Sequence, residues 1–253
     1  MAGKVFILLV IAGILVQGHL CDDKIIGGIS AVPHSAPHIV HLDKPNLFCG
    51  GSLIEQEWVI SAAHCYTNPS YFTVVLGDHD LSTDEGTEQI IKPSKVFVHP
   101  RYDPRTKGYD VMLIKLTTPA VLNQYVKTAP LPAAYSQPVD ESTCQVCGWG
   151  NTQVSGNVYP KVLQCVNLPV VPTSSCNDVT SYNGLITDSM FCIGYMDGGK
   201  DGCDGDSGGP AICDGVLAGV VSWGYGCAYP NFPGVYAKVS WTVDWLQAIM
   251  EQN

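Results

Sequence analysis

The chain has 253 residues, 46% of them hydrophobic and 14% charged, and carries a formal net charge of −10. That length and apolar content are enough to bury one or two substantial cores, which excludes an intrinsically disordered chain. The acidic balance argues against nucleic acid as a partner. In chain order, the first predicted element is a secretory signal over 1–18: Lys4 is basic, VFILLVIAGILV (5–16) is apolar, and Val16-Gln17-Gly18 offers a cleavage point. The competing reading is a retained membrane anchor, but the apolar run is short and Asp22 and Asp23 follow it closely. No later stretch reads as a membrane span. Beyond it, runs rich in β-branched and aromatic residues alternate with turn residues: HIVHL (38–42), FTVVLG (72–77), DVMLIKL (110–116) and VLAGVVSWG (216–224). This is an all-β pattern, a sandwich or barrel. TAPLPAAYSQP (128–138) reads as a junction between two halves of roughly 100 residues each. One helix is predicted over 240–250, with Ser240 as its N-cap and Val243, Leu246, Ile249 and Met250 at helical spacing.

Eleven cysteines in a secreted chain point to disulfides, with one left over. Zinc is the competing reading, but Cys144–Cys147 is the only Cys-x-x-Cys and has no second pair nearby. The densest cluster of chemistry is KDGCDGDSGGP (200–210), where Ser207 stands among aspartates and glycines. A serine hydroxyl is a weak nucleophile until a base activates it and a carboxylate orients that base. Among seven histidines, His64 in WVISAAHC has small neighbours that leave room for a substrate. Asp110, opening DVMLIKL, can hold a histidine tautomer. Taken singly, each of these residues is more often structural.

Together, AAHC, DVMLIKL and GDSGGP in the order His…Asp…Ser resemble the trypsin/chymotrypsin family of serine proteases. IIGG (25–28), CGGSLI (49–54), CGWGNT (147–152), MFCIGY (190–195), VSWGYGCA (221–228) and PGVY (233–236) extend the resemblance over nearly all of 25–250. It implies an all-β fold of two six-stranded antiparallel β-barrels, about 38–127 and 139–238, with a C-terminal α-helix at about 240–251. It implies Ser207 as nucleophile, His64 as general base and acid, and Asp110 as the residue orienting His64. The N–H groups of Gly205 and Ser207 would form the oxyanion hole. Residues 19–24 would be an activation propeptide within a zymogen. Cleavage after Lys24 would free Ile25 to pair with Asp206, and an activating trypsin-like protease or enteropeptidase would make that cut.

By the same resemblance, Asp201 is the base of a specificity pocket that takes arginine or lysine, and Ser222, Trp223, Gly224 and Gly234 line it. Two residues depart from the trypsin branch. Gly202 stands where serine or alanine is usual, and Asp204 stands in place of glutamine at the pocket mouth. GDHDLSTDEGTEQ (77–89) resembles a calcium loop, with carboxylates from Asp78, Glu85 and Glu88 and carbonyls from Asp80 and Thr83; the alternative is a solvated acidic turn. Four bridges carry over by position: Cys49–Cys65, Cys144–Cys213, Cys176–Cys192 and Cys203–Cys227. The usual partner of Cys165 near the mature N-terminus is Ala31 here, so a Cys147–Cys165 cross-strand bridge is expected. Cys21 would leave with the propeptide or, alternatively, tether it. The resemblance implies a secreted monomeric digestive protease acting on proteins and peptides, held by proteinaceous inhibitors, with no nucleic acid or membrane partner. The alternatives are an inactive protease-like binding protein, which commonly loses a triad residue, and a narrow regulatory protease, which commonly adds domains.

Overall fold

A computed structural model describes residues 25–44 and 49–253 of the chain. The expected signal (1–18) and propeptide (19–24), with Cys21 and Lys24, lie outside the described residues. Among the described residues, fourteen strands make two antiparallel sheets. The short β1 (Ile29–Ser30) pairs with the C-terminal sheet, Ile29 opposite Cys165. The N-terminal sheet follows: β2 (Ile39–Asp43), β3 (Cys49–Glu55), β4 (Trp58–Ser61), β5 (Thr73–Leu76), β6 (Gln89–Ile91), β7 (Pro93–Val98) and β8 (Met112–Leu116). Its spatial order is β6-β5-β2-β3-β4-β8-β7. The two ends of that order, β6 and β7, are separated only by Lys92. They are two limbs of one bent strand, so six strands go round and the chain itself closes the barrel. Pro93 stands at the bend. Proline has no N–H for a ladder bond, which suits a point where a strand changes partners.

The C-terminal half contains β9 (Thr143–Gly148), β10 (Gln164–Val171), β11 (Met190–Ile193), β12 (Pro210–Cys213), β13 (Val216–Trp223) and β14 (Gly234–Lys238), with α1 (Thr173–Cys176) after β10. Pairing of β9 with both β10 and β12 closes this ring of six. Strand β9 carries Cys144 opposite Cys213 and Cys147 opposite Cys165, so it is fastened to both neighbours. The other bridges are Cys49–Cys65, Cys176–Cys192 and Cys203–Cys227.

The N-terminal core gathers Leu53, Trp58, Ile60, Leu113 and Ile114, and Leu246 of the final helix packs into the same cluster. The C-terminal core gathers Val146, Leu168, Phe191, Ile193 and Tyr236 around Ile25. The closing helix α2 runs Val243–Gln252, after a 3-10 turn at Val239–Trp241. Ser240 is therefore not its N-cap, which corrects the sequence expectation. Ser240 is buried in the 3-10 turn, and its hydroxyl donates to the Ser136 carbonyl. Thr242 stands at the cap position, with its hydroxyl turned back to Val239. No helix among the described residues is long and apolar enough to cross a membrane.

Candidate active site

Strand β4 ends at Ser61, and the chain turns through a 3-10 helix, Ala63–Cys65, that presents His64. Its Nδ1 lies 2.7 Å from Asp110 Oδ2, and its backbone N–H donates to Asp110 Oδ1 at 2.8 Å. Asp110 precedes β8 and is fully buried, while the His64 side chain is partly open. Two bonds to one residue fix the ring plane, and the carboxylate requires the Nδ1–H tautomer. Ser222, expected only as a pocket residue, also donates its hydroxyl to Asp110 Oδ2 at 2.6 Å. No sequence signal marks that contact, because it bridges positions 112 residues apart.

The C-terminal half brings Ser207 to this place. Gly50 N–H donates to the Ser207 carbonyl at 2.8 Å, and that carbonyl lies 3.7 Å from Cys65 Sγ. Gly208 has φ +83°, and a Cβ there would collide with Ser61 Oγ. Gly205 has φ +100°, and a Cβ would come within 3.0 Å of Gly150 Cα. Both positions need glycine for conformation and for space. The N–H groups of Gly205 and Ser207 donate to no acceptor among the described residues. Asp206, between them, is buried, and its two oxygens accept from Gly150 N at 2.8 Å and Cys203 N at 2.9 Å. Burial pushes its carboxyl up to about 6, against the pull of those two amides. The Ile25 side chain is 0% exposed, in the cluster with Val146 and Tyr236.

Beside Ser207 opens a cavity of about 240 Å³, with Asp201, Gly202, Trp223, Gly224, Gly234 and Tyr236 in its wall. Asp204 and Ser222 also line it. Asp201 is 2% exposed; Oδ2 accepts from Ala228 N at 3.0 Å, and Oδ1 has no protein partner. Burial pushes its carboxyl up to about 7. The Tyr236 hydroxyl is buried and also unpartnered. A Cβ at Gly234 would stand 2.6 Å from Asp201 Oδ1 and close the cavity. At Gly202 the nearest atom to an added Cβ would be Tyr236 Oη, at 3.5 Å, so a side chain fits there. Its absence leaves Tyr236 Oη and Asp201 Oδ1 to whatever enters. Tyr236 is a pocket residue that sequence reasoning missed.

Away from the cleft, one carboxylate oxygen each of Asp78, Glu85 and Glu88 lies within 4.8 Å of the others. Asp78 Oδ1 is buried without a hydrogen-bond partner, and Oδ2 lies 3.0 Å from His41 Nε2. Glu85 Oε2 accepts from His79 N and Asp80 N, and Glu88 takes the Glu85 and Thr87 amides. The Asp80 carboxylate accepts from Ser82 N and Oγ, and its carbonyl accepts from Thr83 N in a turn. Three converging carboxylates, one with a bare buried oxygen, are a donor set that suits a hard divalent cation.

The described chain matches the family model named Trypsin over residues 25–246. It is 48% identical to trypsin I-P1 of Gallus gallus over 253 residues, covering 99% of this chain and 100% of that one. It is 51% identical to a trypsin of Xenopus laevis over 232 residues, 92% of this chain and 93% of the relative. With trypsin-3 of Salmo salar the identity is 50%, over 92% of this chain and 95% of the relative. Matched along almost its whole length and folded as two β-barrels with a serine, a histidine and a carboxylate at their junction, the chain belongs to the trypsin family of serine endopeptidases.

Proposed function

We propose that the chain is the precursor of a secreted, digestive-type trypsin that hydrolyses peptide bonds after arginine and, less readily, lysine. The observation that carries this reading is the buried Asp201 carboxylate, with its bare Oδ1, in the cavity that opens at Ser207. A cationic side chain supplies the missing partner; an apolar one leaves a desolvated carboxylate unpaired. The planar guanidinium fork would offer several N–H donors to the two bare oxygens of the wall, Asp201 Oδ1 and Tyr236 Oη, whereas an ammonium is a point charge that misses the hydroxyl Gly202 does not provide.

In acylation, Ser207 Oγ attacks the carbonyl carbon and its proton passes to His64, whose imidazolium Asp110 stabilises. The oxyanion takes the free N–H groups of Gly205 and Ser207, each worth about 3 kcal/mol in the transition state. His64 then gives the proton to the leaving amine, and water hydrolyses the acyl-enzyme by the same route. Cleavage after Lys24 frees the Ile25 α-amino group for Asp206, whose carboxylate has only neutral amides as partners. Removing one partner from such a buried pair costs about 3–5 kcal/mol, so the uncut precursor is nearly inactive. The activator is a protease specific for basic residues: enteropeptidase, whose cue here is the two acids of CDDK, or another trypsin. Asp78, Glu85 and Glu88 would hold a calcium ion that stabilises the loop and takes no part in the reaction. The mature enzyme acts as an extracellular monomer on proteins and peptides and is a target of proteinaceous inhibitors.

A fluorophosphonate probe, which phosphonylates an activated serine with loss of fluoride, tests this reading. After cleavage at Lys24, peptide mapping finds the label on Ser207; the K24Q precursor and S207A stay unlabelled. Label on another residue, or equal labelling of the uncut precursor, contradicts it.

A further inference from the structure

Tyr109, the residue immediately before Asp110, has a backbone φ of +53°. Left-handed backbone suits glycine and asparagine. For a bulky side chain it is strained, and it persists only where the surroundings hold it. Here the strain adjoins the carboxylate that orients His64. The Tyr109 carbonyl accepts from Val111 N at 2.7 Å, which closes a three-residue turn with Asp110 at its centre. The orientation of the Tyr109 peptide therefore sets the direction in which Asp110 projects.

What holds Tyr109 comes from two sides. Its N–H donates to Ser189 Oγ at 3.2 Å. Ser189 belongs to the second barrel, one residue before β11, and is 3% exposed. Its carbonyl accepts from Lys238 N of β14 at 2.8 Å, and its hydroxyl shares a hydrogen bond with Thr187 Oγ1 at 3.0 Å. The Tyr109 ring is held separately. It stacks on His99, with centroids 4.8 Å apart and planes 9° apart, and the Arg101 guanidinium lies 4.1 Å from its centroid. His99 is itself buried: its backbone N–H donates to the Val111 carbonyl, its Nδ1 accepts from Arg101 N, and Trp245 of α2 meets its ring edge-on at 4.7 Å. Burial first, and Arg101 second, push that imidazole down to about 4, so it stacks as a neutral ring.

We propose that Ser189 and Tyr109 are positioning residues for Asp110 and, through it, for His64. The proposal rests on the His64–Asp110–Ser207 reading given above. Asp110 is carried by the first barrel, yet the second barrel grips it twice: Ser222 donates to its carboxylate directly, and Ser189 holds the peptide next to it. Without the Ser189 hydroxyl, the Tyr109 N–H loses its acceptor and the strained φ loses its support, so the turn around Asp110 relaxes and His64 loses its fixed plane. Neither Ser189 nor Tyr109 lines the cavity beside Ser207, so the effect falls on turnover and not on substrate affinity.

The test is a double-mutant cycle on the activated enzyme with arginine anilide substrates. S189A should lower kcat about tenfold, the size expected for one strained residue set free, and leave KM unchanged. Asparagine takes a positive φ at little cost, so on a Y109N background the same S189A change should cost less than about twofold. Proton NMR reads the geometry itself: the far-downfield signal of the His64 Nδ1–H···Asp110 bond should weaken in S189A and persist when S189A is made on Y109N. A contact that only stabilises the fold would lower Tm and leave kcat and that signal alone. Equal S189A effects on the two backgrounds, an effect confined to KM, or an unaltered downfield signal overturns the proposal. D110N separates it from the triad reading. A fully active D110N enzyme sinks both; an inactive D110N enzyme with additive S189A and Y109N effects sinks only the positioning role.

Discussion

Replacing Asp201 with asparagine should make the protein more stable at pH 8 while disabling it. The side chain is buried, and burial raises its carboxyl to about 7. In the unfolded chain the same group titrates near 3.9. Between those values the folded state holds a proton that the unfolded state has lost. Stability contributed by the neutral acid is therefore complete below pH ~4 and lost as the pH rises through about 7. The gap between the folded and unfolded values corresponds to about 4 kcal/mol, an upper figure because the cavity admits water. Asparagine keeps the acceptor for Ala228 N and never ionises. On a chain of this size, D201N should melt up to ~10 °C above its parent at pH 8 and level with it near pH 3.5. The comparison is made in S207A protein, by calorimetry, at matched ionic strength. The same D201N change in active enzyme should cut kcat/KM on arginine peptides about 10²–10⁴-fold, because the guanidinium loses its charged partner in a buried site. If D201N melts at or below its parent at pH 8, or if the difference in Tm persists in acid, the desolvation argument is wrong.

Three further outcomes follow from the same geometry. G202S places a hydroxyl beside Tyr236 Oη and should raise the lysine-to-arginine ratio of kcat/KM several-fold; an unchanged ratio would show that Gly202 does not set the preference. Calcium at ~100 times its dissociation constant should add about 2.7 kcal/mol of stability, read as a higher Tm, and a chelator or E85Q should remove it. D204Q should relieve discrimination against peptides with an acidic residue beside the cleaved bond, an effect that salt also weakens; equal kcat/KM for acidic and basic neighbours in the parent would sink that role.

Much of the site was legible because its chemistry demands particular residue types in a fixed order. His64, Asp110 and Ser207 are ambiguous one at a time, and the motifs around them remove the ambiguity. The Cys147–Cys165 pair was legible because its usual partner position holds Ala31. What escaped the sequence depends on contacts between distant positions. Ser222 in VVSW looks like any strand serine until its hydroxyl meets Asp110. Tyr236 is one of several aromatics until its hydroxyl is found bare beside Gly202. His41 has no motif to tie it to Asp78 across 37 residues. Ser240 carries a good local cap signal, and tertiary structure overrides it by using the hydroxyl on Ser136. In the N-terminal barrel, only the pairing shows that QIIKPSKVFV is one bent strand closing the ring.

The most direct test of the central claim is kcat/KM of the protein, cut after Lys24, on matched peptides ending in arginine, lysine, phenylalanine or alanine, with S207A as control. The account predicts fast cleavage after arginine, slower after lysine, almost none after phenylalanine or alanine, and none in the control. Preference for phenylalanine, or no cleavage by a chain proven to begin at Ile25, would contradict it.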